Sequence, residues 1–535
     1  MAAPSDEGVM SPEQRAAAEI ESVRPIVGLE VHVELRTRRK MFAPSASPAH
    51  PEFESSPANT LLDPVVLALP GALPVMNRLA IELSIRVGLA LGCSIAKQTK
   101  WDRKGYTYPD LPKGYQISQY DLPLCFDGRA AYRGLDARGN TDPEGGEKHV
   151  GIIRAHLEED AGKLLHEAPG GAPVPPEIGG SIVDLNRAGT PLLEIVTQPE
   201  FSSSEDVVAF CKHLRRLCRF VGATEGVMQK GHMRFEPNIN CVITLSGGRT
   251  VTTPIVEIKN LNSFRAVGAA IDHELSEQPK RWREDGLVMG RGMKSTRGWD
   301  DARAVTVPQR EKEDAHDYRY FPDPDLPMLE VDPSWVEQIR RSLPETPLHR
   351  LERYVEAGLS AGEADVILEE RGLADRFDEA VVLATESGID GGRAHKAVAN
   401  VLLQHGARLA NERACGIEDL PIDAGQLASL AKLREDGAIQ SSNAGELVAK
   451  LCEPGFEGRD PAGVAEFEGW LVVRDEGALE AWVDEVIAAN GPIVEQIRAG
   501  KQQAIGRLIG EVMKKSGGSA DAKAAREKLL ERIGS

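Results

Sequence analysis

The sequence has no run of about eighteen apolar residues, so no segment of ordinary length could cross a membrane as a helix. It has no GxxxxGK[ST] motif, which removes the P-loop route to nucleotide binding, and no GxSxG nucleophile elbow. Its seven cysteines (93, 125, 211, 218, 241, 415 and 452) are scattered and never spaced CxxC. A disulfide framework and a cysteine-rich zinc site are both disfavoured, and a reducing cytoplasmic setting is expected. None of them sits in a convincing nucleophile setting. Net positive charge is also lacking: 63 Lys and Arg against 82 Asp and Glu leave −19, which argues against a general nucleic-acid binder. The opening residues are polar and acidic without an apolar stretch, so no signal peptide is expected there.

Charge is distributed unevenly. From Ile493 to Ser535 nine Lys and Arg stand against five Asp and Glu, so a polyanionic partner is expected at the C-terminal end. At 535 residues the chain is long enough for roughly three domains. Residues 1–22 read as a disordered lead. Residues 23–330, with short alternating segments among glycines and prolines, read as an α+β domain that closes at the proline-rich FPDPDLP. Helical spacing follows, as in Val398, Val401 and Leu402 or Ile505, Leu508, Ile509 and Val512. A proline near 420 divides a helical segment, 331–420, from a helical tail, 421–535.

The most informative segment is IVGLEVHVEL, Ile26–Leu35. In a strand, Val27, Leu29, Val31, Val33 and Leu35 share one face, while Glu30, His32 and Glu34 share the other. Same-face neighbours lie about 6.6 Å apart, so two carboxylates and an imidazole could reach one Mg²⁺ or Mn²⁺. The same alternation also describes a half-exposed strand with a merely solvated face. Three further segments offer carboxylates on strand-like spacing. HLEEDAGK puts Glu159 with Ile153 and Leu157, and His156, Glu158 and Asp160 on the opposite side; MRFEPNINC carries Arg234, Glu236, Asn238 and Asn240; VEIKNLNSF carries Glu257 and Lys259. Each alone fits a structural role, but four in one domain favour a shared cation, because burying unpaired carboxylates is costly.

Other candidates lie in loops and in the tail. Lys104 and Lys113 sit in a long, tyrosine-rich, proline-stiffened loop, where they could hold phosphate or line a polar passage. Arg297 and Arg303 could bind a nucleotide phosphate or serve as ion-pair partners. In the tail, Gly506 and Gly510 lie one turn apart within an apolar helical pattern, at a cost of about 1 kcal/mol each against alanine. That cost suggests close approach of another helix or an RNA backbone, with Lys501, Arg507, Lys514 and Lys515 as cationic neighbours. An ordinary bundle with a basic end reads the same way.

Seven segments in fixed order carry a resemblance: VGLEVHVEL, KMF, DRKGYTYPDLPKGYQISQYD, HLEEDAGK, DLNRAGTPLLEIVT, VEIKNLNSFRAV and DAHDYRYFPDPDLP. Together they resemble the B subunits of bacterial aspartyl/glutamyl-tRNA amidotransferases, the GatB/GatE family, from Pro25 onward. The tail is similar to the YqeY-type domain of that family. The resemblance implies a cradle domain related to the glutamine synthetase/guanido kinase fold, then an all-α segment and a tRNA-contacting tail. It implies a ligase: ATP, with Mg²⁺, phosphorylates the side-chain carboxylate of tRNA-attached Glu or Asp, and glutamine-derived ammonia displaces the phosphate. Glutaminase chemistry would belong to an amidase-type A subunit, with a small C subunit completing a heterotrimer in the cytoplasm. Residue by residue, it implies Glu30, His32, Glu159, Glu236 and Glu257 as catalytic and metal-binding groups, with Lys104 and Lys113 lining an ammonia passage. Glu236 stands where many members have Asp. Some members carry a cysteine zinc site early in the chain; residues 42–77 here contain no cysteine. A tRNA-binding scaffold without catalysis, and a metal-dependent hydrolase of carbohydrate or phosphate esters, are the rival readings.

Overall fold

The computed structural model describes residues 10–165, 167–168, 172–173, 181–290, 293–309, 318–472, 476–498, 502–517 and 520–534. The chain divides into two units, 1–349 and 350–535. The first is α+β and the second helical.

The first unit is organised by β1, Ile20–Glu34, which is paired along nearly its whole length on one side and over Glu30–Glu34 on the other. Its partners are β6 (Pro191–Thr197) and β7 (Met233–Leu245), both antiparallel. Further strands of the sheet are β2 (Asp102–Gly105), β3 (Tyr115–Ser118), β4 (Cys125–Arg133), β5 (Glu147–Glu159), β8 (Ile255–Lys259), β9 (Lys294–Asp300), β10 (Val305–Pro308) and β11 (Phe321–Pro322). They run in the order β10-β9-β8-β7-β1-β6-β5-β3-β2-β11, with β4 beside β5. Among these pairings only β8 with β9 is parallel, and helix α4 (Phe264–Asp285) makes the crossover between them.

Alternation in β1 decides which side of the sheet is dry. Val27, Leu29, Val31 and Val33 are fully buried, in one core with Ile85 of α2 (Arg78–Ala90), Phe210 and Leu214 of α3 (Ser204–Phe220), and Val267 and Ile271 of α4. Each such side chain contributes about 1.5–3 kcal/mol. Local signals place the helices: Ser203 and Ser263 cap α3 and α4 by accepting from Asp206 N and Ala266 N. Gly286, at φ +73°, ends α4 in the left-handed conformation that favours glycine.

Three boundaries differ from the sequence-based expectation. Residues 1–9 lie outside the described residues, but the expected disordered lead is ordered from Met10 onward. Pro12–Ala17 forms α1 behind a Ser11/Gln14 capping box, and β1 already begins at Ile20. Arg15 is buried, donating to the carbonyls of Met10, Arg283 and Glu284. The first unit extends to 349, beyond 330, because Val331 and Ile339 of the segment through α5 (Pro333–Ser342) join the first core. No unit boundary falls near 420, because Leu420 and Ile422 are buried and the chain there is a packed corner.

Candidate catalytic face

Cross-strand register gathers the polar side of the sheet. His32 of β1 stands opposite Glu194 of β6 and Arg234 of β7; Glu30 stands opposite Glu236; Glu194 in turn faces His156 of β5. Across the next pairs, Asn238 faces Glu257, and Glu257 faces Thr296. Paired residues present side chains to the same face, so these groups share the side away from the helices.

At its centre His32, Glu158 and Glu194 each offer one ligand atom, all within 4.8 Å of one another. His32 Nε2 lies 3.5 Å from Glu194 Oε2 and 3.9 Å from Glu158 Oε1, while Nδ1 lies 3.8 Å from Glu236 Oε1. His156 Nε2 lies 3.7 Å from the same Glu194 oxygen. Burial pulls the His32 imidazole down, but Glu194 and Glu236 outweigh it and raise it to about 9. His156 is pushed down to about 4 by burial. Burial raises the Glu158 carboxyl. At Glu194 burial acts in the same upward sense, but His156 and His32 outweigh it and hold the carboxyl below its ordinary range. The buried polar atoms in this region without a hydrogen-bond partner include His32 Nδ1, His156 Nδ1, Glu158 Oε2, Asn238 Oδ1 and Arg234 Nε. Unsatisfied buried atoms cost about 1–3 kcal/mol each, and here they point to a missing ligand.

A second group flanks it. Lys259 Nζ lies 2.8 Å from Glu236 Oε2 and 3.0 Å from Glu257 Oε1. Lys294 Nζ lies 3.2 Å from Glu257 Oε2 and 3.6 Å from Glu30 Oε1, and Asn238 donates to Glu30 at 2.9 Å. Burial disfavours the Glu257 carboxylate, yet the two lysines pull its pKa down to about 2. Three carboxylates are thus held together by two ammonium groups.

Of the five acidic and histidine positions picked from sequence, Glu30, His32, Glu236 and Glu257 share this face. Glu159 does not. It shares the opposite side of β5 with Leu157, as the alternation indicated; there it pairs with Lys113 and accepts from Ile117 N at 3.0 Å. Its neighbour Glu158 occupies the place in the cluster. Glu194 was missed in the sequence, although it is the lone charge in PLLEIVT, and so was Lys294. Lys104 does reach the polar side: its ammonium lies 5.1 Å from the Tyr318 ring centre. Burial opposes its charge, but Glu158, Tyr320 and Glu194 raise its pKa. Lys113 is committed to Glu159 on the other side.

The two arginines offered as phosphate ligands lie elsewhere. Arg297 is paired with Ile258 on the helix side, where it donates to Thr306 Oγ1 (2.9 Å) and Thr306 O (2.8 Å) and lies 3.3 Å from buried Glu274. Arg303 is exposed in the β9–β10 turn, 4.0 Å from Asp300. In the second unit Lys501 lies outside the described residues. Helix Ile505–Lys515 buries Ile505, Leu508 and Val512, and exposes Gly506, Arg507, Gly510, Lys514 and Lys515. Open space surrounds both glycines, so among the described residues no helix packs on them. Lys515 pairs with Glu485.

Residues 25–337 match the family model described as the GatB/GatE catalytic domain, and residues 384–533 match one described as the GatB domain. The chain is 42% identical over 513 residues to the B subunit of the aspartyl/glutamyl-tRNA(Asn/Gln) amidotransferase of Rhodopirellula baltica, covering 96% of this chain and 97% of that one. It is 39% identical over 509 residues to the protein of the same name from Caldanaerobacter subterraneus subsp. tengcongensis, covering 95% and 98%. A third, from Leptospira biflexa, is 40% identical over 516 residues, covering 95% and 97%. With models spanning most of its length and relatives aligned nearly end to end, this chain belongs to the GatB/GatE family.

Proposed function

We propose that this chain is the ATP-dependent, tRNA-binding subunit of a glutamine-dependent amidotransferase, a ligase that converts Glu-tRNA(Gln), Asp-tRNA(Asn) or both to the amide. The observation that carries the reading is the His32–Glu158–Glu194 cluster with its unpartnered buried atoms, set on the polar side of the sheet beside Glu30, Glu236 and Glu257. The sheet with helices on one side fits the cradle architecture related to glutamine synthetase and guanido kinases.

The donor set fits a divalent cation. Oxygen ligands with one imidazole nitrogen suit Mg²⁺ or Mn²⁺; His32 Nε2 is the nitrogen that faces Glu158 and Glu194, and the orphaned Glu158 Oε2 is an atom such an ion would satisfy. His32, Glu158 and Glu194 would hold it, with Glu30, Glu236 and Glu257 available for a second. When bound, the cation neutralises phosphate charge during transfer. The substrate's side-chain carboxylate gains phosphate at the expense of ATP, and ammonia then displaces that phosphate to leave the amide. Residues of this chain bind, orient and exclude water, because an acyl phosphate is lost readily to hydrolysis. Of the two lysines expected along an ammonia passage, Lys104 lies on this side and is the one to line a passage from an amidase-type A subunit, with a small C subunit completing a heterotrimer. The exposed cationic face of Ile505–Lys515 suits the tRNA backbone, and the bare Gly506 and Gly510 allow it to approach closely.

The test is amidation by the assembled enzyme carrying Glu194→Ala or His32→Ala. Loss of amidation with tRNA binding retained supports catalysis here. Full amidation would leave this chain a tRNA-binding scaffold, with its acidic strands structural.

A further inference from the structure

Beyond the catalytic face, the geometry points to a separate subsite at the C-terminal end of β1, where Glu34 receives the α-ammonium group of the aminoacyl ester on the RNA substrate. It rests on the proposed function, and it concerns a part of the substrate that does not react.

A cavity of about 360 Å³ is lined by Glu34, Glu54, Lys163, Arg187, Lys230 and His232, among others. Glu34 and His232 are adjacent in space, the Glu34 amide donating to the His232 carbonyl at 2.9 Å. Both are 5% exposed, and each has one buried atom without a hydrogen-bond partner, Glu34 Oε1 and His232 Nδ1. The nearby guanidinium groups are engaged elsewhere. Arg234 lies 2.9 Å from Asp160, while Arg187 lies 3.5 Å from Asp160 and donates to the Ala161 and Gly162 carbonyls. A carboxylate oxygen buried without a donor favours a ligand that brings one, and a charged N–H is the strongest kind.

The position relative to the reacting centre selects the ligand. Glu34 is two residues beyond His32 on the same side of β1, roughly 6.6 Å along the strand. In an aspartyl or glutamyl group the α-nitrogen and the side-chain carboxyl carbon lie about 3–5 Å apart, given bonds of ~1.5 Å. With an N–H···O contact of about 2.9 Å at the Glu34 end, one aminoacyl group spans from this subsite to the His32 cluster. An α-amino group has a pKa near ~7.8, so much of it carries charge at neutral pH. The cations of the same cavity, Lys163 and Lys230, suit the terminal phosphodiester of the RNA carrying that ester, although Lys230 also holds Glu54 at 2.8 Å. The subsite thus reads whether the RNA is charged with a free amino acid.

The test measures binding of three RNAs to the full-length chain: glutamyl-tRNA(Gln), its N-acetylated form and the deacylated tRNA. Wild type should prefer glutamyl-tRNA over the N-acetylated form by about tenfold or more, the ratio expected for one lost charged hydrogen bond of ~1.5 kcal/mol. Glu34→Gln should bind both at the weaker level and leave deacylated tRNA unchanged, which also reports an intact fold. Lys163→Ala should weaken all three by a similar factor and keep the preference. A Glu34→Gln chain that keeps the preference, or a wild type that shows none, overturns the subsite alone. A wild type that binds none of the three overturns the proposed function and the subsite with it.

Discussion

His32 and Glu194 face each other across the pairing of β1 with β6, with Nε2 3.5 Å from Oε2. Neither lies near the other in sequence, and no spacing around Glu194 announces its place beside His32. Glu194→Ala should lower the amidation rate by about 100-fold or more while leaving tRNA affinity unchanged, as loss of a metal-holding group does. Calorimetric titration with Mn²⁺ should show weaker binding in the same variant. Unchanged Mn²⁺ affinity would remove Glu194 from the ion site.

Lys113→Met should destabilise the chain by about 3–5 kcal/mol in urea unfolding, because it strands Glu159 without its cation. Both side chains are less than 10% exposed, so solvent gives little relief. The double variant Lys113→Met/Glu159→Gln should recover most of the loss. A double variant as unstable as the single one would mean that the pair is not what matters at this position.

Lys259 holds Glu236 and Glu257 from a position about one-third exposed, so its removal should cost less, about 1–2 kcal/mol. The same change leaves the carboxylates in need of positive charge. Millimolar Mg²⁺ should therefore raise the melting temperature of Lys259→Met by more than it raises that of the wild type. Equal shifts would show that the acidic group does not take up the ion.

A pH-dependent contribution is expected in the helical unit. Ser360 and Glu363 form the capping box of helix Ala361–Ile367, and Glu363 Oε1 lies 2.7 Å from Lys396 Nζ. Burial is the largest single influence on the Glu363 carboxyl and raises it, but Lys396 and Ser360 together outweigh it, and the folded pKa is lowered. A lowered carboxyl stabilises the fold above its unfolded pKa of about 4.3, and that contribution fades as pH falls through the folded value. Glu363→Gln, which keeps the cap geometry, should speed amide exchange in this helix at pH 7 by an amount equivalent to about 0.5 kcal/mol. The difference from wild type should shrink as pH falls below the ordinary carboxyl range and through the lowered folded value.

Much of this was legible in the sequence. A half-buried strand writes its two faces as alternate letters, so Glu30 and His32 separate cleanly from Val31 and Val33 on spacing alone. The alternation in HLEED likewise put Glu158 and Glu159 on opposite sides. What it could not supply was which side holds the site, because that depends on how β5 pairs with β6. Periodicity carried back through Ile153 fails as well: the β5–β6 register shifts there, leaving Ile152 buried and Ile153 exposed. Lys294 was out of reach for another reason. It arrives beside Glu257 only through the parallel crossover by α4, a long-range pairing without a local signature. Arg297 illustrates the converse, since its partners Glu274 and Thr306 come from α4 and β10, and no spacing around Arg297 announces them.

The fifteen residues of β1 carry the dry layer and the chemical layer on alternate positions, clamped between two partners. Deleting one residue upstream of Glu30 would invert the parity of every side chain beyond it, sending His32 into the helices and Val31 to the solvent side. This strand can therefore drift by replacement, one letter at a time, but not by a change in length. Insertions and deletions should be far better tolerated in the turns that join the strands than anywhere along β1.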